Sequence, residues 1–233
     1  EASHAAMALR WVNNEKAAVV TSIGPGALQA MAASIAPASD GIGVWYIFGD
    51  ETSEDEGPNM QQIPGHEQHS FLRLCSIMGR SYALHTPGAV STALRRGMNT
   101  VDHPYRSGPF YLLMPLNTQT SISTNFNIDE LPMGTPPGIG SADNKNAFSE
   151  AVEALLRARR VLVRVGGGGR KAGNELLRFM EVTDAVAVTS PLVSGVIPYD
   201  NPRNMTVGGS KGSLCGNYAM ENADLLVVVG SRF

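Results

Sequence analysis

Residues 19–34, VVTSIGPGALQAMAAS, pass from an apolar run through Gly-Pro-Gly straight into a small-residue helical pattern. Glycine lacks a Cβ and proline fixes φ, so the pair makes a tight strand-to-helix turn that brings backbone close to whatever lies beyond it. In open α/β sheets ligands sit there, outside the carboxyl ends of the strands. Spacing alone leaves a second reading open, a tight turn that holds no ligand.

Outward from this stretch the elements alternate. AAVVTS (17–22) reads as a strand, Ala27 to about Ala36 as a helix, and GVWYIFG (43–49) as a second strand. A loop rich in Asp, Glu, Gly and Pro (50–65) precedes a helix near 66–78, a short strand over 81–84, a helix from Pro87 to Val101 and the strand GPFYLLMP (108–115). From Asn117 to about Asn146 the periodicity disappears into Ser, Thr, Asn, Pro and Gly, the composition of a surface linker. Alternation then restarts: helix 147–158, strand VLVRV (161–165), GGGG, helix 173–182, strand AVAVT (185–189), a long irregular region, a helix near 214–222 and the strand DLLVVVG (224–230). The fold class is therefore α/β, with two doubly wound parallel-sheet domains. We expect one domain over 1–118, a linker over 119–146 and a second, truncated domain over 147–233. The chain opens inside a helix (EASHAAMALRWV) and closes just after a strand, so we expect a piece of a longer protein.

Composition narrows the function classes. The 233 residues are 43% hydrophobic and 17% charged with a formal net charge of -3, and the basic residues fall in short pairs such as Arg95-Arg96 and Arg159-Arg160. This excludes a basic field for nucleic acid. Cys75 and Cys215 lie far apart and belong to no Cys-x-x-Cys spacing, which fits a reducing cytoplasm and suggests neither a zinc site nor a disulfide framework. No apolar run reaches the roughly 18 residues that span a bilayer, so no membrane partner is expected. His66 and His69 form a His-x-x-His pair without a third ligand, and no metal site is assigned to them.

The order HAAMA, TSIGPGALQA, FGD, NMQQ and GPFYLLMPLNTQ resembles the N-terminal, pyrimidine-binding domain of thiamine diphosphate enzymes of the acetolactate synthase type. RVLVRVGGGGRKAGN, SGVIPYDNPRN and VGGSKGSLCGNYAMENADLLVVVGSRF resemble their central domain. TSIGPGA with a Gln-Gln pair looks closer to the trihydroxycyclohexanedione hydrolase of inositol breakdown. The family's third domain, which carries the magnesium and diphosphate ligands, is not among these residues.

The resemblance implies a set of site residues. A family glutamate hydrogen-bonds the cofactor's aminopyrimidine ring and promotes loss of the thiazolium C2 proton, and Glu1 is the candidate here. Only three positions separate it from His4, fewer than the family's spacing, and an exposed acid at a helix start is the alternative reading of Glu1. His4 would pass protons on the substrate side; a solvated helix histidine is its alternative. Gly24, Pro25 and Gly26 would press against the pyrimidine ring. Gln61 aligns with a glutamine that reaches substrate or the cofactor's active face, and Gln62 is its neighbour. Gly49 and Asp50 close the second strand where ligand groups are exposed, although Asp50 equally suits a loop cap.

Gly167, Gly169 and Ala172 satisfy a G-x-G-x-x-A form, but the next strand ends in Thr189-Ser190 instead of the acid that holds a ribose, which disfavours NAD. Ser-Lys-Gly at 210–212 departs from the family's flavin pattern, so FAD is the lesser option. The implied cofactor is thiamine diphosphate, with Mg2+ held through the third domain, and the implied assembly is a homodimer or homotetramer. The implied reaction makes or breaks a carbon-carbon bond beside a ketone, by decarboxylating and ligating a 2-oxo acid or by hydrolysing a cyclic diketone. A non-catalytic subunit or nucleotide-binding module of the same fold remains the alternative of a different class.

Overall fold

A computed structural model describes residues 1–53, 69–123, 127–133 and 145–231, which fall in two compact units, Glu1–Ile139 and Gly140–Phe233. The first unit opens with α1 (Ala2–Ala8), continued by a π-helical turn over Leu9–Asn13 that a left-handed Asn14 ends. There follow β1 (Ala18–Thr21), α2 (Pro25–Asp40), β2 (Trp45–Asp50), α3 (Ser70–Met78), β3 (Arg80–Ala83), α4 (Val90–Val101), β4 (Phe110–Pro115) and a short α5 (Leu116–Gln119). Their sheet is wholly parallel in the order β1-β2-β4-β3. The expected strands and helices are present within a few residues. Helix α2 runs further than its small-residue pattern predicts, past Pro37 to Asp40; Gly41 then ends it in the left-handed region, its N–H returning to the Pro37 carbonyl at 3.0 Å.

Alternation along the strands sorts the core onto two faces. Tyr46, Phe48, Tyr111 and Leu113 point to the side covered by Ala27, Ala30 and Met31 of α2, Phe71 and Cys75 of α3, and Ala6 of α1. Trp45, Ile47, Phe110 and Leu112 point to the other side, under Ala93 and Val101 of α4. Gly97 of α4 lies flat on the Trp45 indole, and a Cβ there would overlap the ring. Below α2, Ser34 donates to the Met31 carbonyl at 2.7 Å, so the Tyr111 hydroxyl donates to Ser34 Oγ at 2.6 Å. Burial raises the Tyr111 phenol above its ordinary value.

A buried ion triad closes this unit. Asp102, just past α4, holds Arg10 Nη2 on one carboxylate oxygen and Lys16 Nζ on the other, each at 3.0 Å, and Arg10 also donates to the Val101 carbonyl. These contacts tie the segment between α1 and β1 to the end of α4.

The two thiols differ in accessibility. Cys75 is fully buried between α2 and α3, and burial, aided by the negative charge of Asp50, pushes its thiol up to about 12; Cys215 in the second unit is exposed. A thiol with a raised pKa stays protonated and unreactive at pH 8. Alkylation of the native chain should therefore modify Cys215 and spare Cys75, and both should react after unfolding, which mass spectrometry would read directly.

The second unit comprises α6 (Lys145–Arg157), β5 (Val161–Val165), α7 (Gly173–Thr183), β6 (Val186–Thr189), β7 (Asn204–Val207), α8 (Leu214–Asn222) and β8 (Leu225–Val229), a parallel sheet in the order β7-β6-β5-β8. Strand β7 is absent from the sequence reading, which left 190–213 irregular. Its four residues are all half-buried, its register against β6 shifts between Ala187 and Thr189, and Thr206 has φ of 63°, so neither length nor alternation marks it. No described helix is long and apolar enough to cross a membrane.

Candidate functional site

The carboxyl edge of the first sheet gathers most of the expected positions. Strand β1 ends at Thr21, and Gly24 caps α2 with φ of 74° and ψ of -129°, a conformation that a side chain would strain. Pro25 occupies the first helical turn, where its missing N–H costs nothing. A Cβ on Gly26 would overlap Thr21 Oγ1 and lie 2.8 Å from Ser22 Oγ. The two glycines thus have a local cause in the chain itself: one sets the turn, the other lets the helix start close onto the strand end.

Gly49 is different. A Cβ there would find only ordinary contacts, each at 3.9 Å, to Gln119 Nε2, Ser22 Cα and the Thr21 carbonyl. The ends of β1 and β2 and the turn after β4 therefore meet at Gly49, where a methyl group would sit in ordinary contact. Asp50 follows directly, its Oδ1 accepting from the Glu51 amide at 3.0 Å, a loop-capping bond. Beside it Asn117 Oδ1 accepts from the Ser53 amide at 3.1 Å and its Nδ2 donates to Ser53 Oγ at 3.0 Å, anchoring the chain that leaves β2.

Glu1 is the residue before α1; its carbonyl accepts from the Ala5 amide at 3.0 Å, while its side chain makes no capping bond and is exposed. His4 is exposed on the same helix, whose other face buries Ser3 and Ala6 against α2, with Ser3 Oγ donating to the Ala30 carbonyl at 3.2 Å. The α1–α2 packing thus joins the Glu1-bearing helix to the one that Gly24 begins. Gln61, Gln62 and His66 lie outside the described residues. His69 caps α3 with φ of 61° and its ring meets His85 edge-on at 5.5 Å; no cluster of three or more potential metal ligands occurs among the described residues. The sequence reading missed Gln119 and Asn117. Their only signal was position, directly after the strand GPFYLLMP.

In the second unit the four-glycine turn is an interlock between β5 and β8. Gly166 N donates to the Val229 carbonyl at 2.8 Å, Gly168 N to Gly230 at 2.9 Å and Gly169 N to Gly166 at 2.9 Å. The turn from 207 to 216 is likewise closed on itself: Gly209 N donates to Asn217 Oδ1, Gly212 N to the Gly209 carbonyl and Gly216 N to Ser213 Oγ. Arg232 and Phe233 lie outside the described residues.

Residues 148–233 match the family described as thiamine pyrophosphate enzyme, central domain. The chain is 33% identical over 132 residues to acetolactate synthase 1, chloroplastic, of Zea mays, covering 55% of this chain and 20% of that protein. It is 25% identical over 237 residues to 2-hydroxyacyl-CoA lyase 1 of Dictyostelium discoideum, covering 99% of this chain and 38% of the relative. It is 22% identical over 240 residues to the 3D-(3,5/4)-trihydroxycyclohexane-1,2-dione hydrolase of Listeria monocytogenes, covering 99% and 37%. The chain thus spans between 20% and 38% of the length of these relatives.

Proposed function

We propose that this chain is part of a thiamine pyrophosphate enzyme, that its first unit binds the cofactor's aminopyrimidine at the carboxyl edge of β1, β2 and β4, and that its second unit is the central domain. The whole enzyme then makes or breaks a carbon-carbon bond beside a ketone, decarboxylating a 2-oxo acid and ligating the fragment. The observation that carries this reading is the positive-φ turn at Gly24 with Gly49 beside it, at the edge where such sheets take ligands.

Bound there, thiamine diphosphate supplies the carbon nucleophile. The residues of this chain would do the rest: Glu1 would hold a proton on the ring nitrogen, the backbone at Gly24 and Gly49 would lie against the flat ring, and His4 would carry protons on the substrate side. Gln61 and Gln62, which lie outside the described residues, would contact substrate and cofactor, and Asp50 would border the ring. Mg2+ binds through the diphosphate domain. The proposal includes no flavin, because the amides of Gly166, Gly168 and Gly169 in one glycine-rich turn of the second unit, and of Gly209, Gly212 and Gly216 in the other, are committed within the chain. The free thiols suit a reducing, cytoplasmic setting.

Hydrolysis of a cyclic diketone is a second reading, favoured by one observation. The similarity to the dione hydrolase runs over 99% of this chain, that to the acetolactate synthase over 55%. Full-length protein given thiamine diphosphate and Mg2+ separates the two. Carbon dioxide release from a 2-oxo acid supports the first, ring opening of a cyclic 1,2-dione without carbon dioxide supports the second, and no cofactor binding by calorimetry overturns both. Sedimentation of the same preparation should give a dimer or tetramer.

A further inference from the structure

We infer that the second unit holds a binding site for a free medium-chain aliphatic carboxylate. The site lies between α8 and the amino ends of β5, β6 and β7, with the hydrocarbon chain under α8 and the carboxylate at Arg159 and Arg160.

A cavity of about 270 Å³ occupies this place. Its floor is apolar, formed by Leu162 of β5, Val186 of β6 and Met205 of β7. Its roof is the end of α8, where the small side chains of Ala219 and Ala223 leave space above the sheet. Met205 and Tyr218 also line a wider depression of about 600 Å³ that extends along α8 to Leu214 and Cys215, so the two spaces adjoin along the helix. The rise from Cys215 to Asn222 is about 10 Å, the reach of an extended chain of about eight to ten carbons.

The mouth supplies the charge. Arg159 and Arg160 border the cavity, both are exposed, and neither guanidinium forms an ion pair with a described residue. The acids at this edge are engaged elsewhere. Asp224 accepts from the Arg159 amide at 3.0 Å on one oxygen and from the Arg160 amide at 2.8 Å on the other, and Asp184 pairs with Arg203. Guanidinium groups beside an apolar floor select an anion that carries a hydrocarbon tail, because each buried methylene adds affinity and a carboxylate takes charge-assisted bonds from arginine. This is the amino end of the strands, opposite the carboxyl edge on which the glycine-rich turns of the same unit sit.

The test is calorimetry of the full-length protein with decanoate, below the concentration at which it forms micelles, and with acetate. Alkylation of Cys215 followed by mass spectrometry is the second readout, since that thiol is exposed and borders the depression. Decanoate should bind saturably, one per chain and at least about 100-fold more tightly than acetate, since the added methylenes are buried. At saturation it should slow alkylation of Cys215 several-fold. The doubly substituted R159Q/R160Q protein changes only exposed side chains and leaves the amides that Asp224 holds in place, and it should bind decanoate about tenfold more weakly, the scale of one hydrogen bond to a charged group. Equal affinity in that variant and the unmodified protein, or an unchanged alkylation rate at saturation, shows adventitious adsorption and overturns the inference. Absence of saturable binding by the unmodified protein overturns it as well.

Discussion

On the proposed reading, Glu1→Gln should leave thiamine diphosphate and Mg2+ bound to the full-length protein and slow exchange of the cofactor's C2 proton by about 100-fold to 10,000-fold, the range expected for loss of a positioned acid-base group. The amide keeps the shape of the carboxylate but cannot hold the proton that the ring nitrogen needs. Stability should change by less than about 0.5 kcal/mol, because the Glu1 side chain is exposed and caps no amide of α1. Proton exchange followed by magnetic resonance, beside a thermal melt, separates chemistry from folding. Unaltered exchange would assign the activating role to another carboxylate.

Asp102→Ala has the opposite profile. It removes the centre of a triad in which the acid is 1% exposed at its side chain and Arg10 14%, so Arg10 would be left with its charge largely buried and unpaired. Breaking a buried pair from one side costs about 3–5 kcal/mol, most of it the stranded charge. The urea midpoint of the full-length protein should fall accordingly. Lys16 adds less, since its side chain is 53% exposed and water replaces its partner. A loss below about 1 kcal/mol would show that the triad behaves as a solvated surface pair.

Much of this architecture was legible in the residues. The strands β1, β2, β4, β5 and β8 are runs of β-branched and aromatic residues between turn formers, and α4, α6 and α7 have a clear helical period, so their order follows from periodicity. Strand β7 escaped because a short, bulged, half-buried strand alternates too weakly to be seen. The extent of α2 escaped because nothing local announces that a helix will carry a proline through its last turn.

The candidate site divides in the same way. Gly24, Pro25 and Gly26 are readable because a strand ending in such a turn has few conformations open to it. That a Cβ at Gly26 would clash with Thr21 and Ser22, while one at Gly49 would meet only ordinary contacts, was not readable, since both are simply glycines in sequence. Asp102 joined to Arg10 and Lys16, and Gln119 opposite Ser22, depend on contacts across about 90 residues. Local periodicity and turn chemistry are properties of neighbouring residues, so the chain alone determined that it alternates strand and helix into parallel sheets. Which side chains meet depends on strand order and register, and only the folded sheets decided that β4 would lie beside β2 and bring Gln119 next to Gly49.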